Sequence, residues 1–189
     1  GPTGNVTLKS GANLTATGGS VALGATTVTK DGATLSPMGT VFVRTADSSP
    51  IGTGDLSTVT LAGAPAVNRV YHVHTGGTYT WTSGTVTYTA TMGGVAVCAP
   101  AAITPTTLGT YEADLWITIR AAGNPATVQC NGYFRINNNV SPATAPPTQF
   151  VNTNTTTAVL TGTPVLKTTS AVSGTATVTE KTAVFVVAN

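Results

Sequence analysis

The amino-acid sequence predicts an all-β fold, an antiparallel sandwich of two sheets, and three observations support this fold class. Threonine makes up roughly a fifth of the 189 residues, and β-branched side chains such as threonine and valine favour the pleated surface of a sheet. Several segments alternate apolar and polar residues with a period of two, which is the pattern of a half-buried strand. Glycine and proline separate these segments at short intervals, as in sandwiches and barrels. No segment predicts a helix.

Composition and charge exclude some classes of function. Charged residues are only 7% of the chain and the net charge is +2, so the chain lacks the basic surface with which proteins bind nucleic acid or anionic membranes. The mean hydropathy is +0.21, but the longest apolar run, residues 95–103, is far shorter than the ~20 residues that span a bilayer. We therefore expect neither nucleic-acid binding nor membrane insertion.

The first 39 residues differ from the rest of the chain. Residues 9–14 are echoed at residues 30–35 with the same Lys, Gly, Ala and Leu, and each copy predicts a turn followed by a short strand. Such a repeat has no core of its own and needs neighbours to bury it. Two interpretations stay open for residues 1–39: a β-rich stalk-like or capping segment, or hairpins packed on the main domain, which we place at residues 40–189.

The strands of the main domain begin at residue 40. Short strands are predicted at residues 41–43, 58–61 and 67–75, separated by glycine and proline. Residues 77–94 alternate without interruption on either side of Ser83-Gly84. This pattern predicts a hairpin that turns at these two residues.

The clearest pattern lies at residues 111–136 and predicts two long strands joined by a turn. The odd-numbered residues from 111 to 119 are apolar, and the even-numbered residues are polar except for Trp116. After a turn at residues 121–125, the even-numbered residues from 128 to 136 form a second core-facing set. Trp116, Arg120, Tyr133 and Arg135 are left on the opposite face. We expect this face to contact a partner subunit.

Two further strands are predicted at residues 158–166 and 175–187. The last strand ends in five apolar residues, so we expect it inside a sheet and not at its edge. The two cysteines, Cys98 and Cys130, both lie on strand-like segments. Free thiols and a single disulfide are equally compatible with these positions.

Three loops are candidates for recognition, because loops on a rigid sandwich carry specificity. They comprise residues 45–55, 99–110 and 137–149. Their candidate receptor-binding residues are Thr45, Asp47, Asp55, Asn137, Asn138, Asn139 and Gln149. Aromatic residues are scarce in these loops, with only Phe150 beside the last one, so no sugar-stacking platform is predicted there.

The sequence gives little support to an enzyme. It contains six carboxylates, of which Glu112 and Asp114 share a strand face and could in principle serve as a paired acid and base. The stronger interpretation is that these carboxylates are solvated or paired with an arginine from a neighbouring strand, for which Arg120 and Arg135 are the candidates. The Gly-x-Ser-x-Gly motif, a phosphate-binding loop and zinc-binding Cys/His spacing do not occur. We expect no catalytic activity.

Several segments together resemble a known class of domains. These are residues 76–78, the pair Gly93-Gly94, and residues 111–120 and 126–132. Their order is similar to that in the C-terminal jelly-roll heads of viral and phage fibre, spike and tail proteins, over about residues 40–189. The resemblance implies a TNF-like or C1q-like jelly roll, a homotrimer on the virion surface, and a structural or host-attachment function. Trp116 and the apolar loop at residues 99–103 depart from the pattern. A bacterial or other cell-surface adhesin module and a capsid decoration protein remain alternatives.

The only two histidines, His72 and His74, are two residues apart on a predicted strand, so both imidazoles point to one face. Around a three-fold axis, three such pairs would offer six nitrogens to an octahedral transition-metal ion. Trimeric phage fibres and spikes use His-x-His in this way, so the resemblance favours a shared metal site at these residues. The alternative is that both residues are ordinary polar residues at a surface or subunit boundary.

Overall fold

The structure, a computed structural model, describes residues 28–30, 33–35, 39–138 and 148–188. No helix occurs among these residues. The chain divides into two compact units, Gly1–Leu35 and Ser36–Asn189. In the first unit, β1 (Val28–Lys30) and β2 (Ala33–Leu35) form an antiparallel hairpin, which confirms the short strand predicted for the second copy of the repeat. The first copy lies outside the described residues.

The second unit contains two antiparallel sheets packed as a sandwich, which confirms the predicted fold class. One sheet has six strands in the order β10-β9-β8-β5-β12-β3, and the other has four in the order β4-β11-β6-β7. This arrangement is compatible with a jelly roll. The strands are β3 (Gly39–Val43), β4 (Gly54–Thr60), β5 (Val70–Trp81), β6 (Thr85–Met92), β7 (Val95–Cys98), β8 (Gly109–Ala121), β9 (Gly123–Asn138), β10 (Thr148–Leu160), β11 (Val165–Ser173) and β12 (Ala176–Val187).

The predicted central hairpin is present as β8 and β9, which pair from Gly109↔Asn138 to Ala121↔Thr127. The odd-numbered residues from 109 to 119 on β8 are buried, and so are the even-numbered residues from 126 to 136 on β9 apart from Gly132, which is half-buried. The period-2 pattern therefore assigned the two faces of this hairpin correctly.

The hairpin predicted at residues 77–94 is wrong. The strands on either side of Ser83-Gly84 are β5 and β6, which belong to different sheets and do not pair with each other. Both bury their apolar residues in the common core, so the pattern identifies their inner faces but not their neighbours. Gly84 has a φ of 88°, and a Cβ there would lie 1.5 Å from the carbonyl oxygen of Ser173. A glycine is thus required where the chain crosses between the sheets.

The strand predicted at residues 158–166 is also wrong, because β10 ends at Leu160 and β11 begins at Val165. Gly162 has a φ of 64° and Pro164 lies two residues further on, so these residues form a turn that interrupts the apolar run.

The last strand is confirmed in position: β12 lies between β5 and β3, so it is not an edge strand.

The core lies between the two sheets, and a disulfide crosses it. Cys98 on β7 and Cys130 on β9 are bonded, with their Cα atoms 5.5 Å apart, and both are fully buried. Because β7 belongs to the four-stranded sheet and β9 to the six-stranded sheet, the bond joins the two layers. Of the two states that the sequence left open, the structure contains the disulfide.

Candidate functional site

Several candidate receptor-binding residues that the sequence assigned to loops lie in strands in the structure. Thr45 and Asp47 lie in the connection between β3 and β4 as predicted, and Asp47 pairs with Lys181 at 2.6 Å. Asp55 does not lie in this loop. It is part of β4, opposite Thr169, and its carboxylate pairs with Lys167 at 2.6 Å.

The predicted loop at residues 137–149 is shorter than its composition suggested. Asn137 and Asn138 pair with the first residues of β8, and Gln149 pairs with Phe134 as part of β10. Asn139 lies outside the described residues. A run of asparagines favours a loop in isolation, but here the long partner strand β8 extends the ladder to Asn138.

The most distinctive surface is the outward side of the six-stranded sheet, where aromatic and charged side chains collect on neighbouring strands. Strand pairing places Trp116 opposite His72, Asp114 opposite His74 and Tyr133, and Tyr133 opposite Phe150. We call this surface the aromatic face. Its members are His72, His74, Glu112, Asp114, Trp116, Tyr133, Arg135 and Phe150.

One half of the aromatic face is organised around Asp114. Its Oδ2 atom lies 3.0 Å from Nε2 of His72 and 3.2 Å from Nδ1 of His74. The His72 ring stacks on Trp116 with centroids 4.1 Å apart and planes at 11°. Trp116 is therefore held in place although its side chain is 43% exposed.

The other half is organised around Glu112. Its carboxylate accepts a hydrogen bond from the Tyr133 hydroxyl at 2.7 Å and from Nε of Arg135 at 3.1 Å. The Tyr133 bond and then Arg135 lower the pKa of Glu112, against the opposing effect of burial. The same bond raises the pKa of Tyr133. This confirms the predicted pairing of Glu112 with Arg135, and Asp114 is bonded to the two histidines.

The structure brings three of the four predicted interface residues onto one continuous surface. Trp116, Tyr133 and Arg135 belong to the aromatic face, whereas Arg120 is exposed near the end of β8, about 14 Å from Trp116 along the strand. Phe150 is the member that the sequence did not indicate. Its side chain is 82% exposed, and only the pairing of β10 with β9 places it beside Tyr133.

The predicted metal ligands His72 and His74 do face the same side, with ring centroids 6.4 Å apart. Each imidazole directs one nitrogen to Asp114, which leaves Nδ1 of His72 and Nε2 of His74 for other partners. Within the described part of a single chain, no group of three or more His, Cys, Asp or Glu residues is arranged to hold a metal ion. A site shared by three chains stays a prediction.

A second polar cluster lies inside the sandwich and was not predicted. Glu180 on β12 is fully buried and accepts hydrogen bonds from Nε of Arg44 at 3.1 Å, from Oγ1 of Thr168 at 3.1 Å and from the Ser57 hydroxyl. Burial raises the pKa of Glu180, and the bonds from Ser57, Arg44 and Thr168 oppose that rise. A single glutamate in an apolar strand gave no sign of this cluster.

In the part of the chain that the structure describes, a surface pocket lies on each of the two sheets. The first has a volume of about 380 Å³ and lies at the end of the six-stranded sheet beyond the aromatic face. The second, of about 610 Å³, lies around the Asp55–Lys167 pair on the four-stranded sheet. The first is the better enclosed of the two.

No protein-family model, curated protein or solved structure matches this chain. Among the described residues, no helix is long and apolar enough to cross a membrane.

Proposed function

We propose that this chain is a non-enzymatic virion surface protein, the head of a homotrimeric fibre or spike with a structural or host-attachment function. The single observation that carries the proposal is the aromatic face. It exposes Trp116 and Phe150 on one side of a regular sheet, and exposed aromatic surface of this kind is typical of an interface.

The occupant that this face fits best is a second copy of the same chain. Its carboxylates, Glu112 and Asp114, are already paired within the chain with Tyr133, Arg135 and the two histidines. Burying charges that are already paired leaves no isolated ion to desolvate, which is the main penalty at a buried polar interface. The resemblance to trimeric fibre heads supplies the expected symmetry.

The Cys98–Cys130 disulfide supports an extracellular or virion-surface location, since disulfides persist in oxidising environments and are rare in reducing ones. Glu112 and Asp114, the two carboxylates that could have served as a paired acid and base, are bonded to neighbouring side chains, which supports a non-enzymatic function. Residues Thr45 and Asp47 remain candidates for contact with a receptor or capsid protein.

Light scattering on the purified chain tests the trimer. The expected mass is three times the 18.8 kDa of one chain. The double substitution Trp116→Glu/Phe150→Glu should shift the mass toward that of one chain, because it places new carboxylates on the aromatic face. Val67→Glu is the matched control, since Val67 is 50% exposed and lies outside the strands. It should leave the mass unchanged.

A wild-type protein that is strictly monomeric at micromolar concentration would contradict the fibre-head proposal. That result would favour the two alternatives, a cell-surface adhesin module or a capsid decoration protein, which need no three-fold contact through this sheet.

A further inference from the structure

The pocket at the end of the six-stranded sheet lies on the same side as the aromatic face, one outward residue beyond Glu112 on β8. Its floor is a row of four side chains, one from each of four neighbouring strands, connected by strand pairing: Asn137, Thr110, Thr78 and Thr179. Leu108, 61% exposed, forms a wall. We call this the threonine pocket.

The four polar side chains of the threonine pocket have unused hydrogen-bonding capacity. Within the part of the chain that the structure describes, none of them is engaged in a side-chain hydrogen bond. The aromatic face differs, because its charged groups bond to one another, and even Gln129 and Asn152 beside it share a hydrogen bond of 2.6 Å. Three hydroxyls and an amide therefore line this pocket without a side-chain hydrogen-bond partner among the described residues.

The chemistry of the lining defines the ligand. Among the described residues that line the pocket there is no Asp, Glu, Lys or Arg, so this lining offers nothing to balance a charged ligand. Threonine presents a hydroxyl and a methyl group side by side, and Leu108 adds apolar surface. This mixture complements a sugar ring, whose hydroxyls alternate with C–H surface. The volume of about 380 Å³ lies within the ~300–1,000 Å³ of small-molecule pockets.

The pocket is preorganised by close backbone packing. A Cβ on Gly109 would lie 2.1 Å from the carbonyl oxygen of Asn137 and 2.8 Å from the Tyr79 hydroxyl, so β8 and β9 approach here as only glycine allows. Beneath the row, Tyr79 is buried, and burial raises its pKa to about 12. The base of the pocket is therefore fixed and uncharged at neutral pH.

We propose that the threonine pocket binds a neutral pyranose, held by Thr78, Thr110, Asn137 and Thr179 and packed against Leu108. This inference rests on the attachment part of the proposed function, and it supplies the ligand class: a neutral glycan unit. The pocket lies where two of the predicted recognition loops, residues 99–110 and 137–149, join the sheet.

Saturation-transfer NMR with glucose, galactose, mannose and N-acetylglucosamine tests the proposal, with glucosamine and glucuronate as charged probes. At least one neutral sugar should receive saturation and titrate to a single site, and the charged probes should bind more weakly. Thr78→Val and Thr110→Val keep the side-chain shape and remove a hydroxyl. Each should weaken binding roughly 2- to 12-fold, the equivalent of one hydrogen bond.

The matched control is Thr87→Val, a half-buried threonine on β6 in the other sheet, which should leave binding unchanged. Absence of binding by all four neutral sugars, or binding that both pocket variants leave intact, would overturn the inference. Light scattering on the same samples separates the two proposals. A trimer that binds no sugar refutes the pocket alone, and a monomer that binds through Thr78 and Thr110 refutes the trimer alone.

Discussion

Removal of the buried carboxylate at Glu180 should destabilise the sandwich more than any surface substitution. The side chain is fully buried and accepts three hydrogen bonds, from Arg44, Thr168 and Ser57. Glu180→Ala leaves the Arg44 guanidinium, whose side chain is only 13% exposed, without its counter-ion. Removing one partner of a buried ion pair costs about 3–5 kcal/mol.

This loss of unfolding free energy corresponds to a decrease in the melting temperature, Tm. For a chain of this size, each kcal/mol lowers Tm by about 2–4 °C, so Glu180→Ala should melt roughly 6–20 °C below the wild type. The assay is thermal unfolding followed by circular dichroism at neutral pH, with urea unfolding to obtain the free energy. Asp47→Ala is the control, because the Asp47–Lys181 pair is about half exposed and should contribute less than about 1 kcal/mol.

A double-mutant cycle isolates the ion pair from the other contacts of each residue. Glu180→Met and Arg44→Met should each destabilise the protein, and the double variant should lose less than the sum of the two, with a coupling of roughly 0.5–3 kcal/mol. A loss below about 1 kcal/mol for Glu180→Ala, or strict additivity in the cycle, would refute the claim that this buried pair stabilises the fold.

Three further predictions concern protons, the disulfide and metal. Because burial raises the pKa of Glu180 above its usual value, the native state holds this proton more tightly than the unfolded chain. Its contribution to stability is therefore greatest at acidic pH and falls as pH rises through the native pKa. The unfolding free energy of the wild type should accordingly fall relative to that of Glu180→Gln as pH rises, and a difference that is constant with pH would contradict this. The Cys98→Ala/Cys130→Ala variant removes a bridge between residues 32 apart and should lose about 3–4 kcal/mol in urea unfolding; an unchanged midpoint would contradict it. If three His72/His74 pairs hold a shared transition-metal ion, elemental analysis of untagged protein finds one ion per three chains, lost in His72→Ala/His74→Ala; protein free of such metal would refute the shared site and leave the two histidines as ordinary polar residues.

The sequence predicted the elements whose pattern depends on a single strand and its turn. Burial in β8 and β9 follows the alternation of their own residues, and a short turn joins them, so both faces and the pairing were correct. At residues 77–94 the alternation was equally clear, but the pairing was wrong because β5 and β6 bury the same pattern from opposite sheets. Periodicity reports which side of a strand is buried and carries no information about its neighbour.

The candidate site was only partly predictable for the same reason. Trp116, Tyr133 and Arg135 were assigned to one face from their own strands, but Phe150 joins them through the register of β10 on β9. Glu180 depends on Arg44, which is 136 residues away in the chain and comes beside it only because β3 pairs with β12. Contacts of this kind arise from the packing of separate strands, and no local pattern signals them.

The position of the disulfide has a mechanical consequence. β7, a strand of four residues at the edge of the four-stranded sheet, is covalently attached to β9 inside the other sheet. A pulling force that reaches β7 is passed through this bond to a strand hydrogen-bonded on both sides, so β7 cannot peel away while β9 holds its place. The bond also closes a covalent loop that contains all of β8, which limits how far that strand can be extracted under load without rupture of a sulfur–sulfur bond.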